Sequence, residues 1–409
     1  MPWLKDPVRP KSGRPKLKAL GLAVAVAVAG LFFLSGCWSA KEINERVFLA
    51  AAGVDPAPPP ERVEVTYQLI RPAAVTPAGR SGRGGSSEEK GVWVISNTAP
   101  TILEASRRAA LETGRKIFWG QLQVLVVGEE VARQGLQPYL DVLGRIRESR
   151  HLAWLVVAKG SPAKDILKAE SPLEKIPART IDEQLKAAPV SSLAMPTTLH
   201  DFWRTLACAA PCGPVAAGVE LVKDSEGKPR VRLAGTAVFR GDRMAGWLDE
   251  KETRGLLWVH GKVKSGIITV KLPGREDGEV ALLITRAGVE RQPLLEKGRP
   301  RIAIRITAEG NLWEQAMAEN LITPEGFTRL EEEAARAIRQ EVLSALAKAR
   351  EYKSDIFGFG RAFYRHHPRE WPAMKPYWEE EIFPQLPVTV EVTVRLRQGG
   401  MLSAPIRRR

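Results

Sequence analysis

The sequence predicts an α+β protein, a mixed α/β fold of more than one domain in which β-sheets are wrapped by α-helices. Three observations support this class. The chain has 409 residues, whereas one domain usually holds roughly 100–200. In the first half, short apolar runs alternate with helical patterns, which is typical of a sheet with helices on its faces. In the second half, strand patterns dominate, apart from one long helical pattern over residues 324–352.

The N-terminus has the pattern of a cleaved export signal. A basic segment precedes an apolar run, Ala19–Leu34. As a helix this run would span about 24 Å, which is short of the roughly 30 Å hydrocarbon core of a bilayer. A basic segment followed by a short apolar segment and small residues is typical of a secretory signal peptide. We therefore expect the apolar run to be removed rather than to remain as a membrane span.

The end of the apolar run resembles a bacterial lipobox. Leu34, Ser35 and Gly36 directly precede Cys37. In a lipobox the cysteine thiol accepts a diacylglyceryl group as a thioether, and cleavage before the cysteine then frees its amino group for an N-acyl chain. Two acyl chains anchor a protein stably, whereas one gives only marginal binding. We expect residues 1–36 to be the signal peptide, and we reject the alternative of an uncleaved anchor with an incidental cysteine.

The first predicted domain covers residues 37–210, with a second subdomain expected from about residue 160. Strands and helices alternate along it. Strands are predicted at 63–70, 92–96, 117–128 and 151–158, and helices at 98–114 and 129–146. We expect Thr98 to cap the first helix and Gly114 to stop it.

The second predicted domain covers residues 211–400, and a basic tail follows at 401–409. Strands are predicted at 216–222, 230–240, 266–272, 280–290, 301–309 and 387–397, with a short helix around 249–259. The long helix should begin at Pro324, where a missing N–H costs nothing, and Thr323 should cap it.

Charge and cysteine content exclude several classes. The net charge is +14, and it falls to +9 without residues 1–36, which hold six Lys or Arg and one Asp. No basic stripe is interleaved with aromatic residues, so we expect no nucleic-acid partner, and a diffuse positive charge suits an anionic membrane surface. Cys208 and Cys212 lack the further Cys or His of a zinc site, so we expect no metal there. Whether they form a disulfide or are small core residues stays open.

No catalytic motif stands out. The sequence has no H-E-x-x-H and no G-x-S-x-G, and the adjacent His366 and His367 are interpreted as solvated rather than metal-binding. Glu379 and Glu380 stand beside aromatic residues, as in a glycoside hydrolase pair. The simpler interpretation is a solvated helix start. We therefore expect no enzyme, no catalytic residue, no metal and no cofactor.

Four separated stretches resemble the Ger(x)C family of spore germination lipoproteins, and they occur in the family's order. They are GCWSAKEINER at 36–46, GRKIFWGQLQVLVVGEEVARQGL at 114–136, GTAVFRGDRMAGWLDEKETRGLLWVHGKV at 235–263, and the stretch from SDIFGFG to VTVRLRQGG at 354–400. The family often has His where this chain has Gln121, so we assign no role to that position.

The resemblance implies the C subunit of a nutrient germinant receptor. Such a subunit is non-catalytic, has no cofactor and is needed for spore germination. It would be anchored by its lipid at the outer face of the spore's inner membrane, where it would assemble with an A subunit and an integral-membrane B subunit. The alternative is an extracytoplasmic substrate-binding lipoprotein that presents a nutrient to a membrane partner. Direct nutrient binding and the identity of the germinant stay open.

Within the last stretch, we single out a motif built on Asp355, Gly358, Gly360 and Trp371. The glycines would permit a tight turn, and the carboxylate of Asp355 would cap the segment that follows. A role in contact with another subunit is the competing hypothesis.

Overall fold

The computed structural model describes residues 45–72, 91–272, 278–315 and 319–398. The predicted signal peptide, the lipobox with Cys37 and the basic tail at 401–409 lie outside these residues. Within the described chain, two β-sheets each combine parallel and antiparallel pairs, and helices pack on them. The predicted mixed α and β class is confirmed.

The first sheet contains nine strands of the described chain. They are β1 (Arg46–Pro56), β2 (Val63–Ile70), β3 (Val92–Ala99), β4 (Lys116–Phe118), β5 (Val124–Gly128), β6 (Trp154–Ala158), β7 (Val215–Lys223), β8 (Pro229–Arg240) and β9 (Arg243–Leu248). Their order is β3-β2-β1-β5-β6-β7-β8-β9, and β4 pairs with β1. The central strands β1, β5, β6 and β7 run parallel, and antiparallel strands flank them on both sides.

The two innermost strands, β5 and β6, contain no polar residue because both faces of the sheet are covered there. On β5, Leu125 and Val127 belong to the core on one face, whereas Val124 and Val126 belong to the core on the other. Such continuous apolar runs are typical of buried parallel strands.

The first half of the described chain holds six α-helices, and two details of the helix predictions are wrong. They are α1 (Ile102–Thr113), α2 (Glu129–Gln134), α3 (Gln137–Arg145), α4 (Ala163–Lys168), α5 (Pro177–Ser191) and α6 (Leu199–Leu206). The predicted cap at Thr98 is wrong, because Thr98 pairs with Glu64 inside the sheet and Thr101 caps α1 instead. The single helix predicted at 129–146 is two helices that are separated at Gly135.

The second sheet contains β10 (Gly266–Lys271), β11 (Glu279–Glu296), β12 (Arg299–Gln315) and β13 (Val388–Gln398) in that order. The first three strands form antiparallel pairs, and β13 runs parallel to β12. The chain between β12 and β13 holds the long helix α8 (Pro324–Glu351), whose first turn is capped by the Thr323 hydroxyl. It also holds α9 (Phe359–His366), α10 (Trp371–Met374), a π-helical turn (Trp378–Ile382) and α11 (Phe383–Gln385).

Helix α7 (Glu250–His260) joins the two sheets in the sequence and packs against α8. The boundary near residue 210 stays a prediction, and the first sheet continues past it to Leu248. Across the described ranges, no helix is long and apolar enough to cross a bilayer.

Candidate functional site

The segment 354–360, SDIFGFG, begins just after α8 and ends in the first turn of α9, and its acidic residue Asp355 is buried. The Asp355 carboxylate is 1% exposed and accepts three hydrogen bonds. The backbone N–H of Phe359 donates to Oδ1 over 3.0 Å, and that of Gly360 donates to Oδ2 over 2.6 Å. The indole Nε1–H of Trp378 donates to Oδ2 over 3.1 Å. Asp355 thus binds the N–H groups at the start of α9, as a capping carboxylate does, and also holds the π-helical turn.

Two backbone features explain why glycine occupies positions 358 and 360. Gly358 has φ of +71°, a conformation that side chains with a Cβ rarely adopt. At Gly360 an added Cβ would lie 2.8 Å from Nε1 of Trp378, which is closer than a real contact allows. Trp371 is buried beside Trp378, with ring centroids 5.2 Å apart. Trp371 is therefore part of the packing under the loop rather than an exposed anchor.

The same loop is bonded to the first sheet. The Ser354 hydroxyl donates to the carbonyl oxygen of Phe239 on β8 over 2.7 Å. The backbone N–H of Gly213 donates to the carbonyl oxygen of Asp355 over 2.9 Å. Because Gly213 precedes β7 and Phe239 lies in β8, the loop ties the second half of the chain to the β7–β8 side of the first sheet.

On its other side, the loop accepts hydrogen bonds from a histidine and an arginine side chain. His260 Nε2, at the end of α7, donates to the carbonyl oxygen of Ile356 over 2.9 Å. Arg291 on β11 donates to the carbonyl oxygen of Phe357 over 3.3 Å. Four elements that are far apart in the sequence therefore converge on one loop.

A cleft of about 390 Å³ opens beside this loop. Its walls come from α6, the segment 208–215, the end of α7, β11, the loop and α9. The charged and titratable side chains that line it are Asp201, Arg204, Cys208, Cys212, His260, Lys262, Arg291, Asp355, Arg361, Arg365 and His366. The volume is within the usual range of roughly 300–1,000 Å³ for small-molecule sites.

Desolvation in and around the cleft shifts the pKa of several of these groups so that the uncharged form is favoured. It raises the pKa of Asp355 to about 6, although the amide and indole donors oppose the shift. It lowers the pKa of His260 to about 4, so the ring is neutral at pH 7. Desolvation by the cleft walls also lowers the pKa of Lys262 and of Arg291, although both residues keep exposed surface, and burial raises the pKa of the Cys212 thiol. The desolvation cost of a charge inside the cleft is the common cause.

Cys208 and Cys212 face each other at the cleft, and no disulfide joins them. Their sulfur atoms are 3.3 Å apart, whereas a disulfide bond is about 2.05 Å long. Both are thiols in this structure.

The other sequence candidates are engaged elsewhere. Glu380 pairs with Arg240 and with Lys353, and so links β8 to the end of α8. Burial raises the pKa of the neighbouring Glu379. His367 Nε2 lies 3.1 Å from the carbonyl oxygen of Pro293. Among the described residues, no group of three or more His, Cys, Asp or Glu side chains is placed to hold a metal ion.

Sequence reasoning missed the cationic residues of the cleft. Lys262, Arg291, Arg361 and Arg365 were not singled out, because they come from three separate elements. One local signal was available, since Arg361 and Arg365 are four residues apart and lie on one face of a helix. Arg254 and Glu341 were missed as well, and they form a buried ion pair between α7 and α8.

Comparisons with known proteins cover both halves of the chain. Residues 39–217 match a family described as spore germination protein, N-terminal domain, and residues 234–400 match a family described as spore germination B3/GerAC like, C-terminal. Together the two matches span most of the chain in the expected order.

Individual relatives agree over nearly their full length. Spore germination protein KC of Bacillus subtilis (strain 168) is 27% identical over 401 residues, which covers 94% of this chain and 97% of the relative. Spore germination protein B3 of the same organism is 24% identical over 377 residues, which covers 90% and 96%. A crystal structure titled as the GerBC protein superposes with a TM-score of 0.51 at 19% identity and covers 84% of this chain and 97% of that one, which shows a shared fold. The chain therefore belongs to the Ger(x)C family of spore germination proteins, as the four sequence stretches predicted.

Proposed function

We propose that this chain is the non-catalytic, lipid-anchored C subunit of a spore nutrient germinant receptor. The observation that carries the proposal is the match of both family domains, in order, over residues 39–217 and 234–400. Relatives named as spore germination proteins cover nine-tenths or more of the chain, which supports a role in germination.

The anchor would be Cys37. The lipobox at Leu34, Ser35 and Gly36 supports lipidation and removal of residues 1–36. Two acyl chains would then hold the protein at the outer face of the spore's inner membrane. From there it would assemble with the A and B membrane subunits. No nucleic acid and no cofactor takes part in this proposal.

The motif at Asp355 is proposed to act mainly through the fold. A carboxylate that is 1% exposed has no surface to offer a partner. Its three donors come from α9 and from the π-helical turn, so its loss would disturb the C-terminal third of the chain first. A subunit contact near this loop would depend on Asp355 only through the loop's shape.

The test is recovery of the full chain from spore membranes. A C-terminally tagged chain is purified in mild detergent, and the wild type is compared with Cys37→Ser. We expect the wild type to carry acyl groups on a chain that begins at residue 37, and to bring the A and B subunits with it. The Cys37→Ser variant should retain residues 1–36, carry no acyl group and recover less of both subunits, as measured by intact mass and by peptide mass spectrometry.

Cys208→Ser is the matched control, because it removes a cysteine outside the lipobox and should leave acylation and assembly unchanged. Recovery of the acylated wild type without either subunit would contradict the assembly.

A substrate-binding lipoprotein is the second candidate, and one observation favours it. The cleft beside the loop has the size of a small-molecule site and lies between segments of the two halves of the chain. A transport partner recovered in place of the A and B subunits would support this candidate.

A further inference from the structure

The cleft beside the loop carries more positive than negative side chains. Its cations are Arg204, Lys262, Arg291, Arg361 and Arg365, and its carboxylates are Asp201 and Asp355. His260 adds no charge at pH 7, because burial lowers its pKa to about 4. Burial raises the pKa of the Cys212 thiol, so this thiol adds no negative charge either.

Both carboxylates are already engaged. Asp201 accepts a hydrogen bond from the Thr198 hydroxyl over 2.8 Å in the capping box of α6, and it pairs with Arg204 over 3.1 Å. Asp355 is surrounded by the three N–H donors of Phe359, Gly360 and Trp378. Asp201 attracts Lys262 and Asp355 attracts Arg291 at longer range, but neither carboxylate forms an ion pair with them in the described chain.

Four cations of the cleft therefore have no carboxylate within ion-pair distance in the described chain. They are Lys262, Arg291, Arg361 and Arg365. Arg291 uses one N–H on the carbonyl oxygen of Phe357, and the guanidinium group has four further N–H groups. Desolvation in the cleft lowers the pKa of Lys262; the nearby Asp201 opposes this shift and the nearby Arg204 adds to it.

Arg361 and Arg365 place two positive charges on one face of α9 beside the cleft. They lie one turn apart on α9, and that helix has no acidic residue. Like charges four residues apart repel each other on a helix. Arginine forks suit carboxylate and phosphate oxygens, which they bind through two parallel hydrogen bonds.

We propose that this cleft binds a small anion that carries a carboxylate or phosphate group, with Arg361, Arg365 and Lys262 as its ligands. The inference goes beyond the proposed function, because a receptor subunit need not bind a small molecule to assemble. The cleft's volume of about 390 Å³ admits a small organic anion. An occupant with one or two negative charges would offset the excess positive charge.

The test is calorimetric titration of the purified full chain in detergent at low chloride. Two probes are used separately: inorganic phosphate and succinate. We expect at least one probe to bind with one site per chain and a Kd below about 1 mM. Binding of phosphate alone assigns a phosphate-bearing ligand, binding of succinate alone assigns a carboxylate, and both results support the site.

Variants locate the binding. The double variant Arg361→Gln/Arg365→Gln, and separately Lys262→Gln, should each weaken binding about tenfold or more, because charged hydrogen bonds are lost. Arg369→Gln is the matched control, since Arg369 is an exposed arginine four residues past Arg365 that does not line the cleft. It should bind like the wild type.

Thermal unfolding separates a lost site from a lost fold. If the double variant unfolds at a lower temperature than the wild type, the single variant Arg365→Gln replaces it in the titration. Arg365 is exposed, so this substitution leaves the core untouched. No saturable binding of either probe up to about 10 mM would overturn the proposal. Equal weakening by Arg369→Gln would overturn it too, because it would assign the effect to diffuse charge. Recovery of the A and B subunits is measured independently, so the two proposals can fail separately.

Discussion

At the residue scale, Asp355 shows how one buried carboxylate can organise a loop. Its two oxygens accept from two backbone amides and one indole, so its removal leaves three donors unpaired in a buried place. An unpaired buried donor costs about 1–3 kcal/mol, and partial relaxation keeps the sum below three full penalties.

We expect Asp355→Ala to lower the free energy of unfolding by about 3 kcal/mol or more. Urea denaturation followed by tryptophan fluorescence measures it. Asp141→Ala is the control, because Asp141 forms an exposed pair with Arg145 and should cost less than about 1 kcal/mol. Normal stability of Asp355→Ala together with lost recovery of the A subunit would instead support the subunit-contact hypothesis.

At the scale of elements, helices α7 and α8 are joined by an ion pair in the core between them. Arg254 and Glu341 have side chains that are 12% and 8% exposed. Arg254 Nε lies 3.0 Å and 3.1 Å from the two Glu341 oxygens, and the Trp258 indole donates to the same carboxylate over 3.1 Å. Burying two charges has a desolvation cost, which these hydrogen bonds offset only while both partners are present.

We expect Glu341→Gln to destabilise the protein by about 2 kcal/mol or more, because the buried Arg254 then loses its countercharge. Glu351→Gln on the same helix is the matched control. Its partner Lys348 and Glu351 itself are substantially exposed, so the loss should stay below about 1 kcal/mol. Chemical denaturation measures the free energy of unfolding of both variants. Equal decreases would show that the buried pair stabilises the fold no more than the exposed pair does.

At the scale of the whole molecule, the loop at 354–360 connects the first sheet to the second. Its backbone and Ser354 bond to Gly213 and Phe239 on one side, and His260 and Arg291 bond to it on the other. Two of the groups at this junction titrate with opposite effects on stability. The pKa of His260 falls to about 4 in the fold, and that of Asp355 rises to about 6, in both cases because of burial.

The sign of each effect follows from proton linkage. The folded state binds fewer protons at His260 than the unfolded state, so stability is lost as the pH falls from about 6.5 to about 4. The folded state binds more protons at Asp355, so stability is lost as the pH rises from about 4 to about 6. The two contributions oppose each other over one window.

We expect His260→Gln to remove the acid-sensitive contribution. Relative to the wild type, the variant should gain about 2 kcal/mol in free energy of unfolding between pH 6.5 and pH 4, because its glutamine has no proton to take up. Urea denaturation across this pH range measures the difference. A difference that is constant with pH would contradict the assignment to His260.

Much of the local structure followed from sequence patterns. An apolar run identified β6, because both faces of that central parallel strand are buried. The single strand predicted at 117–128 is wrong, because a 3-10 turn at Trp119–Gln121 separates β4 from β5. The Thr323 cap and the start of the long helix at Pro324 depend only on neighbouring residues, so the sequence could predict both, and both are confirmed. The cap of α1 was placed wrongly at Thr98, because pairing with β2 extends the strand through that position.

The sequence by itself determined the class of fold, the family and the expectation of a lipid anchor at Cys37, because each depends on residues that are close together in the chain. Only the tertiary structure decided what surrounds Asp355 and that Lys262, Arg291, Arg361 and Arg365 line one cleft. The physical reason is that periodicity and capping act within a few residues. Burial and unpaired charge depend instead on side chains that lie about a hundred positions apart and are brought together by packing of the two sheets.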